Sequence, residues 1–400
     1  MQKHSSLHPL LPSRRHPFTA SPRNNPTAPK AASILALRQA HPLRPTPPRL
    51  VSITHARRAL AAPQNFANLA VYPLIAPPAA AGAGSFANEA DYLVLDEALQ
   101  RKLARVTEVS EGGSVPELAF ENFADRGVLL LDGEELVGAR QNRVLNITVL
   151  VGAQQKITIP VSCVEHGRWR YNSAEFASAD RALFSKARAD KARHVSASLR
   201  QNGSRRSDQG EVWGRVAEKS AKFSVNSPTG SMEDVFVQEK ARLDQYVDAV
   251  RPAPGQCGAV FAIDGKVAGL ELFDSPGSFA RYLPKIVRSY AMDAAETPKS
   301  GAAPPVEEAV RRFIDEMKAA ATESFKALGL GEDVRRRLDR GRRAGARRTR
   351  RPPRGVQGRR ARAAVRVQGA SAAYLNAYAV ISGRARIVAV GHRNRRVNRA

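Results

Sequence analysis

Residues 127–169 carry the clearest β-strand pattern in this 400-residue chain and its densest group of specific polar side chains. Asp132-Gly133 separates two apolar runs, and an Asp-Gly pair in that position is a strong hairpin signal because glycine accepts a positive φ. Two further runs alternate apolar with polar residues. The pattern predicts an antiparallel meander with one face in a core. Its strands are residues 128–131, 134–137, 144–151 and 156–163.

The rest of the middle of the chain combines a second hairpin signal with helical periodicity. Asp264-Gly265 lies between two runs of nearly pure β character. Ser207 or Asp208, and later Ser231, are suited to the N-cap positions of helices. The sequence therefore predicts an α+β fold with a mainly antiparallel sheet and packed helices. The strands are predicted within residues 66–170 and 257–273. The helices are predicted at residues 175–199, after Ser207 or Asp208, and at residues 231–250, 276–291 and 306–328.

Charge is distributed unevenly along the chain. Residues 1–63 contain ten Lys or Arg and no acid, and residues 331–400 contain 21 Arg, no Lys and three acids. Residues 64–330 are nearly balanced, with 32 basic and 34 acidic residues. The net charge of +26 therefore belongs to the two ends. The middle is long enough to bury a sizeable core.

This distribution predicts three parts. Residues 1–63 are a disordered leader, or sequence translated from a start codon placed too early, since prolines are frequent and apolar clusters are lacking. Residues 64–335 form a single α+β domain. Residues 336–400 are an arginine-rich tail that is disordered or frameshifted, because GC-rich codons read in a shifted frame give text of this kind.

Several classes of protein are disfavoured. Cys163 and Cys257 are the only cysteines and neither belongs to a Cys-x-x-Cys pair, which argues against a disulfide framework and a thiolate zinc site. No cofactor loop or metal-ligand spacing is found, so no cofactor and no metal are predicted. Prolines interrupt the longest apolar run, so no membrane span is predicted.

The expected location is the cytoplasm. Organelle import through residues 1–63 is the alternative, since an acid-free leader rich in Arg and Ser is typical of transit peptides.

Polar residues at the turns and strand ends of residues 127–169 form the candidate site. Arg143 beside two amides is suited to a phosphate or carboxylate, and Trp169 is able to stack on a base. Glu134 and Glu165 are the candidate catalytic bases. The alternative is that these groups form buried ion pairs and amide contacts, with Trp169 in the core. The candidate ligand-binding residues are Glu135, Gln141, Asn142, Arg143, Asn146, Arg168 and Trp169.

Cys163 lies close in sequence to Glu165 and His166, an arrangement that suggests a Cys/His nucleophile. Adjacent residues of a strand face opposite sides, so Cys163 and Glu165 share a face while His166 points away. A reactive thiolate needs a base within hydrogen-bond reach. Cys163 is therefore predicted as a buried structural cysteine.

Four segments resemble a known family. They read LLLDGEELVGARQNRVLN, IPVSCVEHGRWRY, QGEVW and AVFAIDGKVAGLELFDSP. They are similar to the ARG and rhodanese/phosphatase-superfamily-associated protein domain, found mostly in bacterial proteins, where ARG stands for ADP-ribosylglycohydrolase. The resemblance covers roughly residues 66–335. It implies an association with enzymes of ADP-ribose and phosphate metabolism, and no particular reaction. Members continue past a segment like GLGEDVR into a last strand pair, which is expected to be missing or scrambled here because an arginine run takes its place.

These features predict a protein that binds a small anionic ligand, such as a nucleotide or an ADP-ribose derivative, as a sensor or accessory protein. A hydrolase acting on ADP-ribose-type or phosphate ligands is one alternative, and the sequence leaves open whether there is any turnover. A protein partner is another. Binding of nucleic acid is predicted only if the arginine-rich tail is genuine, since many arginines would neutralise phosphates.

Overall fold

Three β-sheets and seven helices form the part of the chain that the structure describes. The structure is a computed structural model, and it describes residues 59–76, 90–296, 303–338, 373–382 and 384–393. Strand pairing within these residues is mainly antiparallel, with β-strands and helices both abundant. The α+β class predicted from the sequence is confirmed.

The elements follow one another along the chain in a mixed order, with strands predominating in the first half. The strands are β1 (Ala59–Leu60), β2 (Gln64–Phe66), β3 (Leu69–Ile75), β4 (Tyr92–Val94), β5 (Ala104–Glu108), β6 (Glu117–Asn122), β7 (Gly127–Leu130), β8 (Glu134–Gly138), β9 (Arg143–Leu145), β10 (Val149–Val151), β11 (Lys156–Cys163), β12 (Phe176–Ala182), β13 (Gln256–Ile263), β14 (Lys266–Leu272), β15 (Ala321–Lys326), β16 (Glu332–Leu338), β17 (Ala373–Ser382) and β18 (Arg384–Arg393). The helices are α1 (Leu95–Gln100), α2 (Ser185–Asn202), α3 (Gln209–Lys222), α4 (Met232–Gln238), α5 (Lys240–Asp248), α6 (Pro276–Glu296) and α7 (Glu307–Ala319).

The largest sheet has nine strands, in the order β1-β3-β13-β14-β18-β17-β16-β15, with β2 also paired to β3. β13 and β14 form the second predicted hairpin. Asp264 and Gly265 at its turn both have positive φ, 49° and 69°, as a type I′ turn requires. The rings of Phe261 in β13 and Tyr290 in α6 stack with their centroids 4.1 Å apart. The main core therefore lies between this sheet and α6.

The predicted meander is wrong at its first turn and in its third strand, since residues 144–151 divide into β9 and β10, which lie in different sheets. β7 pairs with β4 and β10 in a three-stranded sheet, whereas β8 pairs with β9 and β12 in a six-stranded sheet. The Asp132 N–H donates to Thr148 Oγ1 (2.9 Å), and the Gly133 N–H donates to the Leu145 carbonyl oxygen (2.9 Å). These contacts lead the chain from one sheet into the other, so this Asp-Gly pair marks a corner instead of a hairpin.

The six-stranded sheet has the order β12-β8-β9-β11-β6-β5. Arg143 at the start of β9 pairs with Leu136 of β8 and with Cys163 at the end of β11. The end of β8, the start of β9 and the end of β11 therefore lie side by side where the strands of this sheet end, and we call this end of the sheet its edge. The chain just before α4 reaches the same edge, since Glu165 and Ser231 form an isolated β-bridge.

The segment 175–199 is only partly helical. Its first residues form β12, and α2 begins at Ser185. Asp293 of α6 caps this helix, because its Oδ2 accepts from the Ser185 hydroxyl (2.5 Å) and from the Lys186 N–H (2.8 Å). A cap from a distant helix leaves no signal in the local sequence, which explains the difference from the predicted boundary.

The segment 306–328 also divides into a helix and a strand. α7 ends at Ala319, Ala320 has an extended backbone, and β15 then pairs with β16. Phe325 and Leu328 pack beside the core of the six-stranded sheet, and not on the predicted helical stripe. β15 forms a hairpin with β16, the next strand, and this pairing overrides the helical spacing of its apolar residues.

Two predicted helix caps are confirmed. Asp208 Oδ1 accepts from the Glu211 N–H (3.0 Å) at the start of α3, and the Ser231 hydroxyl accepts from the Glu233 N–H (3.2 Å) at the start of α4. The predicted helix at residues 231–250 forms as two helices, α4 and α5. α6 continues through Pro284 and extends five residues beyond the predicted end.

The nine-stranded sheet includes a strand pair from the end of the chain. β17 pairs with β16 and β18, and β18 pairs with β14. A last strand pair is thus present where the sequence predicts one that is missing or scrambled. Residues 1–58 and 339–372 lie outside the described residues, and the assignment of residues 1–63 and 336–400 to a leader and a tail stays a prediction. No helix in the described ranges is long and apolar enough to cross a membrane.

Candidate functional site

A cleft of about 660 Å³ opens at the sheet edge where β8, β9 and β11 meet. We call it the edge cleft. Its walls come from the end of β8, the loops after β8 and β11, and the chain around the start of α4. Three of the residues selected from the sequence, Asn142, Glu165 and Arg168, line it. The lining residues are Val137, Gly138, Asn142, Glu165, Arg168, Arg170, Tyr171, Asn172, Thr229 and Glu233.

An ion pair between Glu165 and Arg168 forms the centre of the cleft wall. Glu165 Oε2 lies 2.6 Å from Arg168 Nη2 and also accepts from the Asn142 N–H (3.0 Å). Glu165 Oε1 accepts from the Thr229 hydroxyl (3.1 Å). Arg168 Nη1 donates to the Ala139 carbonyl oxygen (2.7 Å). Because each charged group has several partners, the pair fixes the loops after β8 and β11 to each other.

A chain of polar contacts leads from Asn142 away from the cleft to Glu135. Asn142 Nδ2 donates to Glu233 Oε2 (2.9 Å), and Glu233 Oε1 lies 2.9 Å from Arg181 Nη2. Arg181 Nε in turn lies 2.5 Å from Glu135 Oε2. Burial raises the pKa of Glu135 to about 7, and the neighbouring Arg181 opposes the rise. A carboxyl group with this pKa exchanges protons near neutral pH.

Arginine and aromatic side chains alternate in a row that begins at Tyr171, which lines the edge cleft. The Arg140 guanidinium lies 4.3 Å from the centre of the Tyr171 ring and 5.5 Å from that of Trp169, and the Arg143 guanidinium lies 5.7 Å from the Trp169 ring. Tyr171 is 50% exposed and Trp169 is 44% exposed. Trp169 is therefore not a core residue. We call these four residues the rim ladder.

Glu134 does not line the edge cleft. It lies in β8 next to Glu135, and successive strand residues face opposite sides. Its Oε1 accepts from Lys285 Nζ (2.8 Å) and its Oε2 accepts from the Leu131 N–H (2.7 Å). Burial raises the pKa of Glu134, and Lys285 opposes the rise. These contacts tie β8 to α6, and the catalytic role of Glu134 stays a prediction.

Two of the predicted ligand-binding amides are engaged in buried contacts. Gln141 Nε2 donates to the Glu165 carbonyl oxygen (3.0 Å). Asn146 Nδ2 donates to the carbonyl oxygens of Val161 (3.2 Å) and Arg205 (3.2 Å). Gln141 thus braces the loop behind the cleft. Asn146 joins β11 to the chain before α3, and neither amide lines the cleft.

Cys163 is fully buried, as predicted. Its Sγ donates to Gln141 Oε1 (3.3 Å), and burial raises the pKa of the thiol. His166 packs edge-on against the Trp213 ring, with centroids 4.4 Å apart. In the described ranges no group of three or more His, Cys, Asp and Glu side chains is placed to hold a metal ion.

Residues of the site that were not selected from the sequence include Arg140, Arg170, Tyr171, Arg181 and Glu233. Arg140 and Tyr171 directly adjoin the selected segments, so a wider window around those segments would have found them. Arg181 and Glu233 lie in β12 and α4, and only the tertiary structure brings them to the cleft. No local pattern distinguishes these two residues from other surface charges.

Comparison with known proteins identifies the family of this chain. The family model of the ARG and Rhodanese-Phosphatase-superfamily-associated Protein domain, ARPP-1, matches residues 58–350, well over half of the chain. The chain belongs to this family. The ARPP-1 domain contains the whole edge cleft and the rim ladder. No curated protein and no solved structure matches the chain.

Proposed function

We propose that the edge cleft binds a small ligand that carries both an anionic group and a planar ring, of the nucleotide or ADP-ribose class. The observation that carries this proposal is the rim ladder, whose two half-exposed rings stand beside arginines and which meets the cleft of about 660 Å³ at Tyr171. Ligand sites typically enclose about 300–1,000 Å³. Aromatic rings next to arginine suit a base with an attached phosphate.

Each part of such a ligand has a matching group in the cleft. Arg170 is exposed and makes no side-chain hydrogen bond or ion pair within the described ranges, so it is free to bind a phosphate bidentately. Tyr171 offers a ring face for stacking. Glu165 and Glu233 are acceptors for ribose hydroxyls, and their charges are offset by neighbouring arginines. Acidic residues in the cleft therefore do not repel an anion strongly.

The same site is compatible with a sensor, an accessory protein or a hydrolase. We favour a sensor or accessory role, because Glu165 is held by several partners and is not free to move to a substrate. Hydrolysis is the second candidate, since Glu135 connects to the cleft through Arg181, Glu233 and Asn142, and burial raises its pKa to about 7. Assays of turnover with each bound ligand separate the two candidates.

A thermal-shift screen of the full-length chain against nucleotides and ADP-ribose tests the proposal. A ligand at about 100 times its Kd stabilises the native state by about 2.7 kcal/mol. Arg170→Gln is expected to weaken binding by about tenfold, as expected for loss of a charge-assisted hydrogen bond. Tyr171→Ala is expected to weaken it by a similar factor through lost stacking.

Two matched controls locate the ligand. Arg312→Gln changes an exposed arginine on α7, and it is expected to leave binding unchanged. Phe123→Ala removes a half-exposed ring that lines a second cleft, beside Arg105. If Phe123→Ala abolishes binding while Tyr171→Ala does not, the ligand occupies that second cleft and the proposal is wrong. If neither nucleotides nor ADP-ribose bind, a protein partner becomes the better explanation of the exposed rings.

A further inference from the structure

We propose that Arg143 forms an internal anion subsite beneath Trp169, which takes one phosphate-sized oxyanion group of the ligand. The subsite presupposes the ligand site proposed above and assigns its innermost anionic group to one residue. Arg143 has no exposed surface, whereas Trp169, whose ring lies 5.7 Å away, is 44% exposed. Rotation of the Trp169 ring would therefore open a path from the rim of the edge cleft to the Arg143 guanidinium.

Two of the three nitrogens of the Arg143 guanidinium lack a hydrogen-bond partner within the described residues. Its Nε and Nη2 have none within the described part of the chain, and Nη1 makes one long contact, 3.5 Å, with the Asn142 carbonyl oxygen. Arginine remains charged in proteins, and burying an unpaired charge is costly. Buried polar groups are nearly always hydrogen-bonded, so two such orphaned nitrogens point to a partner that is supplied from outside.

No neighbouring side chain neutralises Arg143. Glu165 is already paired with Arg168 and accepts two further hydrogen bonds. Burial raises the pKa of Cys163, so that side chain is a neutral thiol. Glu108 contributes at a distance, since its charge raises the pKa of Arg143 against the larger effect of burial. Arg143 makes no ion pair with it in the described ranges, and the cation remains uncompensated.

A second arginine adds to the positive potential. Arg140 Nε is also buried without a hydrogen-bond partner, and its guanidinium lies over the same Trp169 ring. Gly113 packs against Arg140 and Glu108. A Cβ at Gly113 would stand 3.0 Å from Arg140 Cδ and 3.3 Å from Glu108 Oε2, and the φ of +72° at this residue also favours glycine. Glu108 Oε2 is itself buried without a partner. Donors therefore outnumber acceptors around Trp169, which favours an oxyanion.

Trp169 itself reports on the subsite. The chain contains two tryptophans, so Trp213→Phe leaves Trp169 as the only one. Inorganic phosphate and pyrophosphate are titrated into this full-length variant while indole emission is recorded. Saturable change in the emission is expected, with chloride at the same ionic strength giving none. Adding Arg143→Gln is expected to weaken phosphate binding by about tenfold, the effect of losing charge-assisted hydrogen bonds.

A second substitution keeps the test decisive if Arg143→Gln fails to fold. Glu108→Gln removes a carboxylate that acts on Arg143 and is expected to tighten phosphate binding by a few fold, because a like charge then no longer opposes the anion. Arg312→Gln on the exposed surface is the matched control and is expected to change nothing. Unchanged emission with phosphate in both the parent and the Glu108→Gln variant would overturn the subsite.

The result also separates the subsite from the proposed function. If nucleotides stabilise the chain but Arg143→Gln leaves their affinity unchanged, the edge cleft binds its ligand without the subsite, and this inference is wrong. If phosphate binds in an Arg143-dependent way and no nucleotide or ADP-ribose does, the subsite stands and the proposed ligand class is wrong.

Discussion

Two groups of buried charged side chains in this domain differ in their surroundings. The edge-cleft group borders an open cleft and comes from β8, β12, α4 and the loop after β11. The interior group is enclosed between α2, β14 and the corner that joins β7 to β8. The edge-cleft group consists of Glu135, Glu165, Arg168, Arg181 and Glu233. The interior group consists of Asp132, Arg188, Lys191 and Glu271.

The interior group is the less completely hydrogen-bonded of the two. Arg188 Nη1 lies 3.0 Å from Glu271 Oε1, and Lys191 pairs with Asp132. Four further atoms have no partner in the described part of the chain: Arg188 Nε and Nη2, Asp132 Oδ2 and Glu271 Oε2. Each buried polar atom left unpaired costs about 1–3 kcal/mol. These side chains therefore specify which elements meet at the centre more than they stabilise the fold.

The comparison shows that access to water decides how much stability is lost when one partner of an ion pair is substituted. Glu165 and Arg168 line the cleft, so water is able to solvate either one when its partner is removed. Arg188 and Glu271 have no exposed surface. Water therefore cannot solvate the charge that remains when either of them is removed. We therefore expect the interior group to be the more sensitive to single substitutions, although its hydrogen bonding is the poorer.

Arg188→Met is expected to have the largest effect. It leaves the Glu271 carboxylate buried without its ion-pair partner, which costs about 3–5 kcal/mol of unfolding free energy. Urea unfolding of the full-length chain measures the loss. The double change Arg188→Met with Glu271→Leu removes both charges and is expected to recover most of it. A double variant as unstable as the single one would show that packing of Arg188, and not its charge, is responsible.

The pH dependence of stability is the next largest effect. Burial raises the pKa of Glu271 to about 7, above its ordinary value of 4.5, with Arg188 opposing the rise. The folded state therefore holds this proton more tightly than the unfolded state. The resulting stability is complete below pH 4.5 and is lost as the pH rises through about 7, on the order of 3 kcal/mol in all. Burial raises the pKa of Glu135 as well, so its contribution to stability has the same pH dependence.

Glu271→Gln is expected to remove the contribution of this group, so that unfolding free energy falls less steeply between about pH 5 and 8. The measurement is a series of urea titrations across that range. Glu135→Gln gives the comparison at the cleft. The pH dependence that Glu296 contributes has the opposite sign, because neighbouring lysines lower its pKa to about 2 against the effect of burial. Its contribution to stability is therefore lost only in acid. Equal slopes in parent and Glu271→Gln chains would contradict the assignment.

Arg168→Gln tests the same chemistry at the cleft. It removes the ion pair with Glu165, which keeps its hydrogen bonds from the Asn142 N–H and the Thr229 hydroxyl. The expected loss is about 1–3 kcal/mol, that of a charge-assisted hydrogen bond with water available to the remaining partner. Urea unfolding is again the measurement. A loss as large as that of Arg188→Met would mean that water does not reach the cleft wall.

The parts of the fold that depend on neighbouring residues could be predicted from the sequence. The Asp264-Gly265 hairpin and the Asp208 cap use contacts within a few residues. The Asp132-Gly133 corner depends on the Thr148 hydroxyl, and the start of α2 depends on Asp293. Such partners are distant in sequence, and no local pattern reveals them.

The candidate site was predicted to a similar extent. Asn142, Glu165 and Arg168 were selected from strand ends and do meet at one cleft, because hairpin connections bring strand ends to one edge. Glu134 and Glu135 were both selected, and alternation along β8 requires that they face apart. Which of them faces the cleft network depends on where Lys285 and Arg181 pack, and this is a property of the whole fold.

The smallest expected effect is that of an ion pair on the surface. Arg311 and Glu307 pair one turn apart on α7, and both side chains are 55% exposed. Such pairs contribute about 0.3–0.5 kcal/mol, because water solvates both partners and salt screens them. Arg311→Gln is therefore expected to lower the unfolding free energy by no more than this, and high salt should abolish the difference. Arg312→Gln, the adjacent exposed arginine without an ion pair in the described ranges, is the matched control. If Arg311→Gln were as costly as Arg168→Gln, solvent access would not explain the ranking of the three sites, and the contrast between interior, cleft and surface would fail.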